Sequence, residues 1–182
     1  GSLSQLRRIM EAPSQRACLP ALPPALEPPS APPQPWLGLT RTVRFGDTDA
    51  AGVMHFHQLL RWCHEAYEES LERFGLPAAS VFPRPEWAGD SPEVALPIVY
   101  CQAEFRRPLL TGDLLRISLR PEALGPGGFE VSYSFEREGQ PVAQGLTRHL
   151  AIAASGRQPC GLPEDIRRWL EASGLGEGVR PL

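Results

Sequence analysis

Phe56-His57-Gln58-Leu59-Leu60-Arg61-Trp62-Cys63-His64-Glu65-Ala66-Tyr67-Glu68-Glu69-Ser70-Leu71-Glu72-Arg73-Phe74 is the stretch from which the fold is read. Phe56, Leu59, Leu60, Cys63, Tyr67, Ser70, Leu71 and Phe74 recur at three- and four-residue spacing, the period of one helical face. Arg61, Glu65, Glu68, Glu69 and Glu72 take the other face. Gly75 and then Pro77 stop the run. The spacing predicts one long amphipathic helix over 56–74, with a single apolar side that needs cover.

Downstream, residues 76–97 form a proline-punctuated connection, of a length often found at functional or moving parts. Strands follow. Residues 98–105 read as the first. Leu115, Ile117 and Leu119 alternate with Arg116, Ser118 and Arg120. After the turn Gly125-Pro126-Gly127-Gly128, Phe129, Val131, Tyr133 and Phe135 alternate with Glu130, Ser132, Ser134 and Glu136. Glu138-Gly139 makes a second tight turn, and a last strand spans about 142–152. A short closing helix is expected over 162–170, with Pro163 and Glu164 in its first turn. Tight turns imply antiparallel pairing, so the class is α+β, with the helix laid across the concave face of one sheet.

Upstream, Thr42-Val43-Arg44-Phe45 alternates like a strand and residues 46–52 read as a loop. Residues 1–35 are expected to be a proline-rich disordered tail, since proline removes donors and fixes φ. The folded domain is expected over 36–175, followed by a short tail over 176–182.

The chain has 182 residues and a formal charge of -3. No basic stripe suits a nucleic-acid backbone, and no segment is apolar enough to span a bilayer. Cys18, Cys63, Cys101 and Cys160 form no paired motif, so free thiols in a reducing compartment are expected. No charged-then-apolar leader pattern opens the sequence, and a cytoplasmic location is expected.

The chemistry concentrates in Arg44-Phe45-Gly46-Asp47-Thr48-Asp49-Ala50-Ala51-Gly52-Val53-Met54-His55-Phe56. It sets two carboxylates just before the long helix. Backbone N–H groups at a helix start lack internal partners and carry partial positive charge. They can polarise a thioester carbonyl and hold the oxyanion that develops. A carboxylate alongside can activate water or attack the carbonyl itself. Acyl transfer therefore needs neither metal nor cofactor here, and none is expected.

The run Phe45-Gly46-Asp47-Thr48-Asp49-Ala50-Ala51-Gly52-Val53 resembles the signature of hot-dog thioesterases of the 4-hydroxybenzoyl-CoA type. His64-Glu65-Ala66-Tyr67-Glu68 and Thr147-Arg148-His149 resemble the cyanobacterial branch that cleaves 1,4-dihydroxy-2-naphthoyl-CoA in phylloquinone synthesis. The resemblance covers about residues 39–172. It implies a hot-dog fold, an antiparallel sheet wrapped around one long central helix. It implies hydrolysis of an acyl-CoA by a homotetramer built as a dimer of dimers. It makes Asp49 the catalytic carboxylate and the Phe56 backbone N–H the carbonyl polariser. Asp47, His55 and Arg148 are its candidate substrate-binding residues, with Asp47 also suited to organising the loop. Two departures stand out. His55 replaces the usual aromatic, and 125–128 lacks the basic residues that meet CoA phosphates, which leaves Arg106, Arg107 or Arg148 for that task.

Plainer readings compete. Aspartates often serve turns. Asp47, Asp49 and Gly52 mimic positions of a calcium loop, but Ala51 and Gln58 replace two ligands. His55, His57 and His64 lack a zinc spacing. Cys63 beside His64 lies in the apolar stripe and reads as core. Glu65, the second-choice catalytic carboxylate, can instead pair with Arg61 one turn back. Two rival functions remain: a thioesterase for another aromatic or fatty acyl group carried by CoA or acyl-carrier protein, and a non-catalytic acyl-CoA-binding or scaffold protein.

Overall fold

A computed structural model describes residues 34–175; of the tails expected over 1–35 and 176–182, residues 1–33 and 176–182 lie outside the described residues. Helix α1 spans Phe56–Phe74, as its period predicts. At 1.5 Å per residue it is about 28 Å long. His55 caps its start, and Gly75 closes it in the left-handed conformation at φ 110°, its N–H reaching the Leu71 and Glu72 carbonyls. Leu59, Trp62, Cys63, Ala66, Tyr67, Ser70 and Leu71 are buried, while Arg61, Glu68 and Glu72 face water.

The buried stripe lies on a five-stranded antiparallel sheet. Its strands are β1 (Gly38–Thr42), β3 (Ile98–Phe105), β4 (Leu114–Ala123), β5 (Gly128–Arg137) and β6 (Gln140–Leu150), in the spatial order β1-β4-β5-β6-β3. Alternation directs Leu115, Ile117 and Leu119 of β4 and Val131, Tyr133 and Phe135 of β5 into the core. Gly145 of β6 marks the closest approach of α1: a Cβ there would stand 2.6 Å from the Cys63 Sγ. Cys63 is therefore a packing residue, and burial pushes its thiol well above the usual range.

Two smaller units finish the domain. In the 76–97 connection, α2 (Ala78–Val81) is followed by β2 (Val94–Ala95), which pairs with β7 (Ile152–Ala153). Helix α3 (Glu164–Gly174) buries Ile166, Trp169 and Leu170, and the Trp169 indole N–H donates to Ser70 of α1 at 3.0 Å.

Four boundaries differ from expectation. The first strand is Gly38–Thr42, and Phe45–Asp47 forms a 3-10 turn instead of continuing it. Local bonds cause this: the Asp47 carboxylate accepts the Arg44 N–H at 2.8 Å, and the Thr48 hydroxyl donates to the Phe45 carbonyl at 2.7 Å. Gly128, read as part of a turn, opens β5. The last strand starts at Gln140 and breaks at Ala151, whose N–H turns to the Gly127 carbonyl. The closing helix starts at Glu164, with Pro163 as its cap, and runs on to Gly174.

Candidate active site

The acidic loop is a small hairpin joined to the start of α1. Asp49 N–H donates to the Val53 carbonyl at 2.9 Å, and Gly52 N–H returns to the Asp49 carbonyl at 3.0 Å. Gly52 sits at φ 78°, where a side chain would strain the turn. One further bond anchors the hairpin: Met54 N–H donates to the Leu109 carbonyl at 2.7 Å, and Val53 bridges to Leu110. The loop is thus tied to the segment between β3 and β4, a tie that no local pattern announces.

Within this frame the two aspartates differ. Asp47 is half-buried, and its carboxylate is bound to Arg44 N–H while its carbonyl accepts the His55 N–H at 2.8 Å. Asp49 is exposed; its Oδ1 accepts the Ala51 N–H at 2.8 Å. That bond holds one oxygen and leaves the carboxylate at the surface. Phe56 opens α1, so its N–H has no carbonyl four residues earlier in the helix. Phe56 is 70% exposed and Phe45, at the other end of the loop, 83%. His55 and His57, the latter not singled out as a site residue from sequence, cluster here with rings 4.1 Å apart.

The other two candidates lie elsewhere on the chain. Arg148 is on the sheet face opposite α1, bound to Glu130 at 2.9 Å, with its guanidinium 5.0 Å from the Tyr100 ring centre. Within one chain it stands at the far end of the β3–β6 ladder from the loop: Tyr100 pairs with Arg148, and Phe105 with Ala143. Glu65, on the third turn of α1, lies 3.8 Å from Arg61. Arg106 donates to Gln144 at 3.4 Å.

A second polar cluster is buried beneath α1. His149 is 1% exposed and stacks on Phe129 at 4.5 Å. Its Nδ1–H donates to the Leu96 carbonyl at 3.1 Å, its Nε2 accepts from Thr147 at 3.0 Å, and Thr147 meets the Tyr133 hydroxyl at 3.2 Å. Burial lowers the His149 pKa to about 4, so the ring is neutral near pH 7. Beside it, the Tyr67 hydroxyl is buried without a hydrogen-bond partner among the described residues. Among those residues no group of three or more His, Cys, Asp or Glu is placed to hold a metal ion.

Comparisons with known proteins place the family and the fold. A family described as the Thioesterase-like superfamily matches residues 43–170. A 1,4-dihydroxy-2-naphthoyl-CoA hydrolase from Prochlorococcus marinus strain MIT 9303 is 61% identical over 145 residues, 80% of this chain and 96% of that relative. Among solved structures, a protein from Prochlorococcus marinus strain MIT 9313 described as a thioesterase superposes with a TM-score of 0.73 at 62% identity, covering 76% of this chain and 96% of the other. A 1,4-dihydroxy-2-naphthoyl-CoA thioesterase from Synechocystis gives 0.65 at 31% identity, covering 74% and 94%. The sheet wrapped on one long helix, the acidic hairpin at that helix's start and these likenesses point one way: the chain is a hot-dog-fold member of the Thioesterase-like superfamily.

Proposed function

We propose that this protein hydrolyses 1,4-dihydroxy-2-naphthoyl-CoA to 1,4-dihydroxy-2-naphthoate and CoA, the thioester cleavage step of phylloquinone synthesis. The observation that carries the reading is the exposed Asp49 carboxylate on a hairpin fixed to the start of α1, in a chain 61% identical to a hydrolase of that name. The Phe56 N–H takes the thioester carbonyl and holds the oxyanion. Asp49 either draws a proton from water as it attacks or attacks the carbonyl itself and is regenerated by water. In both routes the C–S bond breaks and the thiolate leaves as CoA; in the first, water supplies the acid oxygen, and in the second, water attacks the Asp49 carbon of the mixed anhydride, so its oxygen stays on Asp49 and an Asp49 oxygen leaves in the acid. Single-turnover hydrolysis in labelled water separates them, because only the covalent route carries label into Asp49.

His55 and Asp47 border the acyl site in this reading, and Arg148 reaches CoA from a neighbouring subunit. The edge strand β3 supports assembly: Ile98 is 39% exposed, Val99 53% and Tyr100 45%. An open apolar edge invites pairing with a second copy. A homotetramer built as a dimer of dimers, working in the cytoplasm, is the proposed form. No helix among the described residues is long and apolar enough to cross a membrane.

A panel of CoA thioesters tests the proposal. 1,4-Dihydroxy-2-naphthoyl-CoA should give the highest kcat/KM, above benzoyl, 4-hydroxybenzoyl and fatty acyl thioesters. A higher value on a fatty acyl thioester would move the assignment to the rival thioesterase. No turnover on any of them, with binding retained, would make the protein a carrier.

A further inference from the structure

Two histidines bracket Phe56. His55 caps α1 with extended backbone, φ -63° and ψ 138°, and its Nδ1 accepts the His57 N–H at 3.4 Å. The two rings meet edge to face, and their Nδ1 atoms are in direct contact. A ring nitrogen that accepts a backbone N–H carries no hydrogen, so the hydrogen between the two Nδ1 atoms belongs to His57. Opposite tautomers satisfy both contacts, with His55 protonated on Nε2 and His57 on Nδ1.

The backbone is fixed as well. His55 N–H donates to the Asp47 carbonyl at 2.8 Å, and the His55 carbonyl accepts the Gln58 N–H at 3.0 Å. That carbonyl shares one planar peptide unit with the Phe56 N–H. Where the carbonyl is tied into the helix, the N–H must point the opposite way, out of the helix start. The imidazole pair closes the same turn from the side-chain direction.

We propose that His55 and His57 are a paired lock on the first turn of α1 whose task is to aim the Phe56 N–H at the thioester carbonyl. They are positioning residues, and the proposal rests on the reading of Asp49 and Phe56 as the reacting centre. A donor aimed at the developing oxyanion acts only in the transition state, so loosening it lowers kcat and spares KM.

The tests are His55→Ala and His55→Asn, assayed on 1,4-dihydroxy-2-naphthoyl-CoA and on 4-hydroxybenzoyl-CoA. Loss of the cap in His55→Ala should lower kcat roughly tenfold with KM nearly unchanged. Asparagine caps helices well without an imidazole and should restore most of kcat. A rise in KM at constant kcat, an Asn variant as slow as the Ala variant, or no change in either variant would each overturn the lock. Nitrogen-15 imidazole spectra of the unaltered protein decide the geometry without any assay. Beside the buried His149, a second ring should show the Nδ1–H tautomer, and that signal should be lost in His57→Gln; two Nε2–H rings at the helix start would contradict the pair. If the protein turns over neither thioester while its spectra show the opposite tautomers, the functional reading fails and the pairing stands.

Discussion

The Asp49 hairpin and the His149 cluster are the two polar centres of one domain, and they are built in opposite ways. Around His149 both ring nitrogens have an internal partner, aromatic rings close the sides, and water is kept out. Around Asp49 the backbone is pinned, while the carboxylate and the aromatic rings of Phe45 and Phe56 stay open. The first arrangement leaves no ring nitrogen of His149 to offer a ligand. The second is fixed enough to aim its groups and open enough to meet a substrate. Polar residues in a core serve the fold when their bonds are complete; those at a helix start serve chemistry when theirs are not.

The largest effect expected of the closed centre is on stability against pH. His149 titrates at about 4 in the fold and near 6.5 when unfolded. Between those values the unfolded chain binds more protons, so stability falls as pH drops from about 6.5 to about 4, by about 3 kcal/mol in all. Above 6.5 and below 4 this residue adds no slope. Denaturant unfolding across that range should show the loss, and the part due to His149 should vanish in His149→Gln. An unchanged slope in that variant would mean the ring is not held neutral by burial.

Next in size is Gly145→Ala. Its new methyl would meet the Cys63 Sγ where α1 presses on β6, and such overpacking costs roughly 1–3 kcal/mol. Unfolding free energies check this, and a neutral result would show α1 free to lift from the sheet. The smallest effect contrasts two tyrosines. Tyr67→Phe deletes a buried hydroxyl that lacks a partner and should leave stability unchanged or raise it by up to about 1 kcal/mol. Tyr133→Phe deletes one bonded to Thr147 and should lose about 1 kcal/mol. Equal losses in both would show that the cluster is less closed than the comparison holds.

The two centres were unequally legible in the sequence. The span Phe56–Phe74 and its stop at Gly75 follow from residue spacing, because a helix is a local object. So is the acid pair before it, where motif and helix start are neighbours in the chain. The strand ahead of the loop was misplaced, since Thr48 and Asp47 side chains redirected the backbone there. The His149 cluster joins β5, β6 and Leu96 between β2 and β3, and only the sheet register brings Tyr133, Thr147 and Leu96 together. Spacing alone carries no trace of it. The same holds for the tie from Met54 to Leu109, and for the position of Arg148 on the far sheet face.

The most direct measurement is release of CoA from 1,4-dihydroxy-2-naphthoyl-CoA by Asp49→Asn in a single turnover, with substrate binding followed in parallel. The amide keeps the carboxylate's shape but neither takes a proton nor attacks. The rate should fall by about 10²–10⁴ while binding and folding persist. Glu65→Gln, which alters a carboxylate beside Arg61 on α1, should stay within roughly threefold, as expected of a surface pair. Near-normal release from Asp49→Asn, with Glu65→Gln inactive, would put the catalytic carboxylate on the helix and contradict the account.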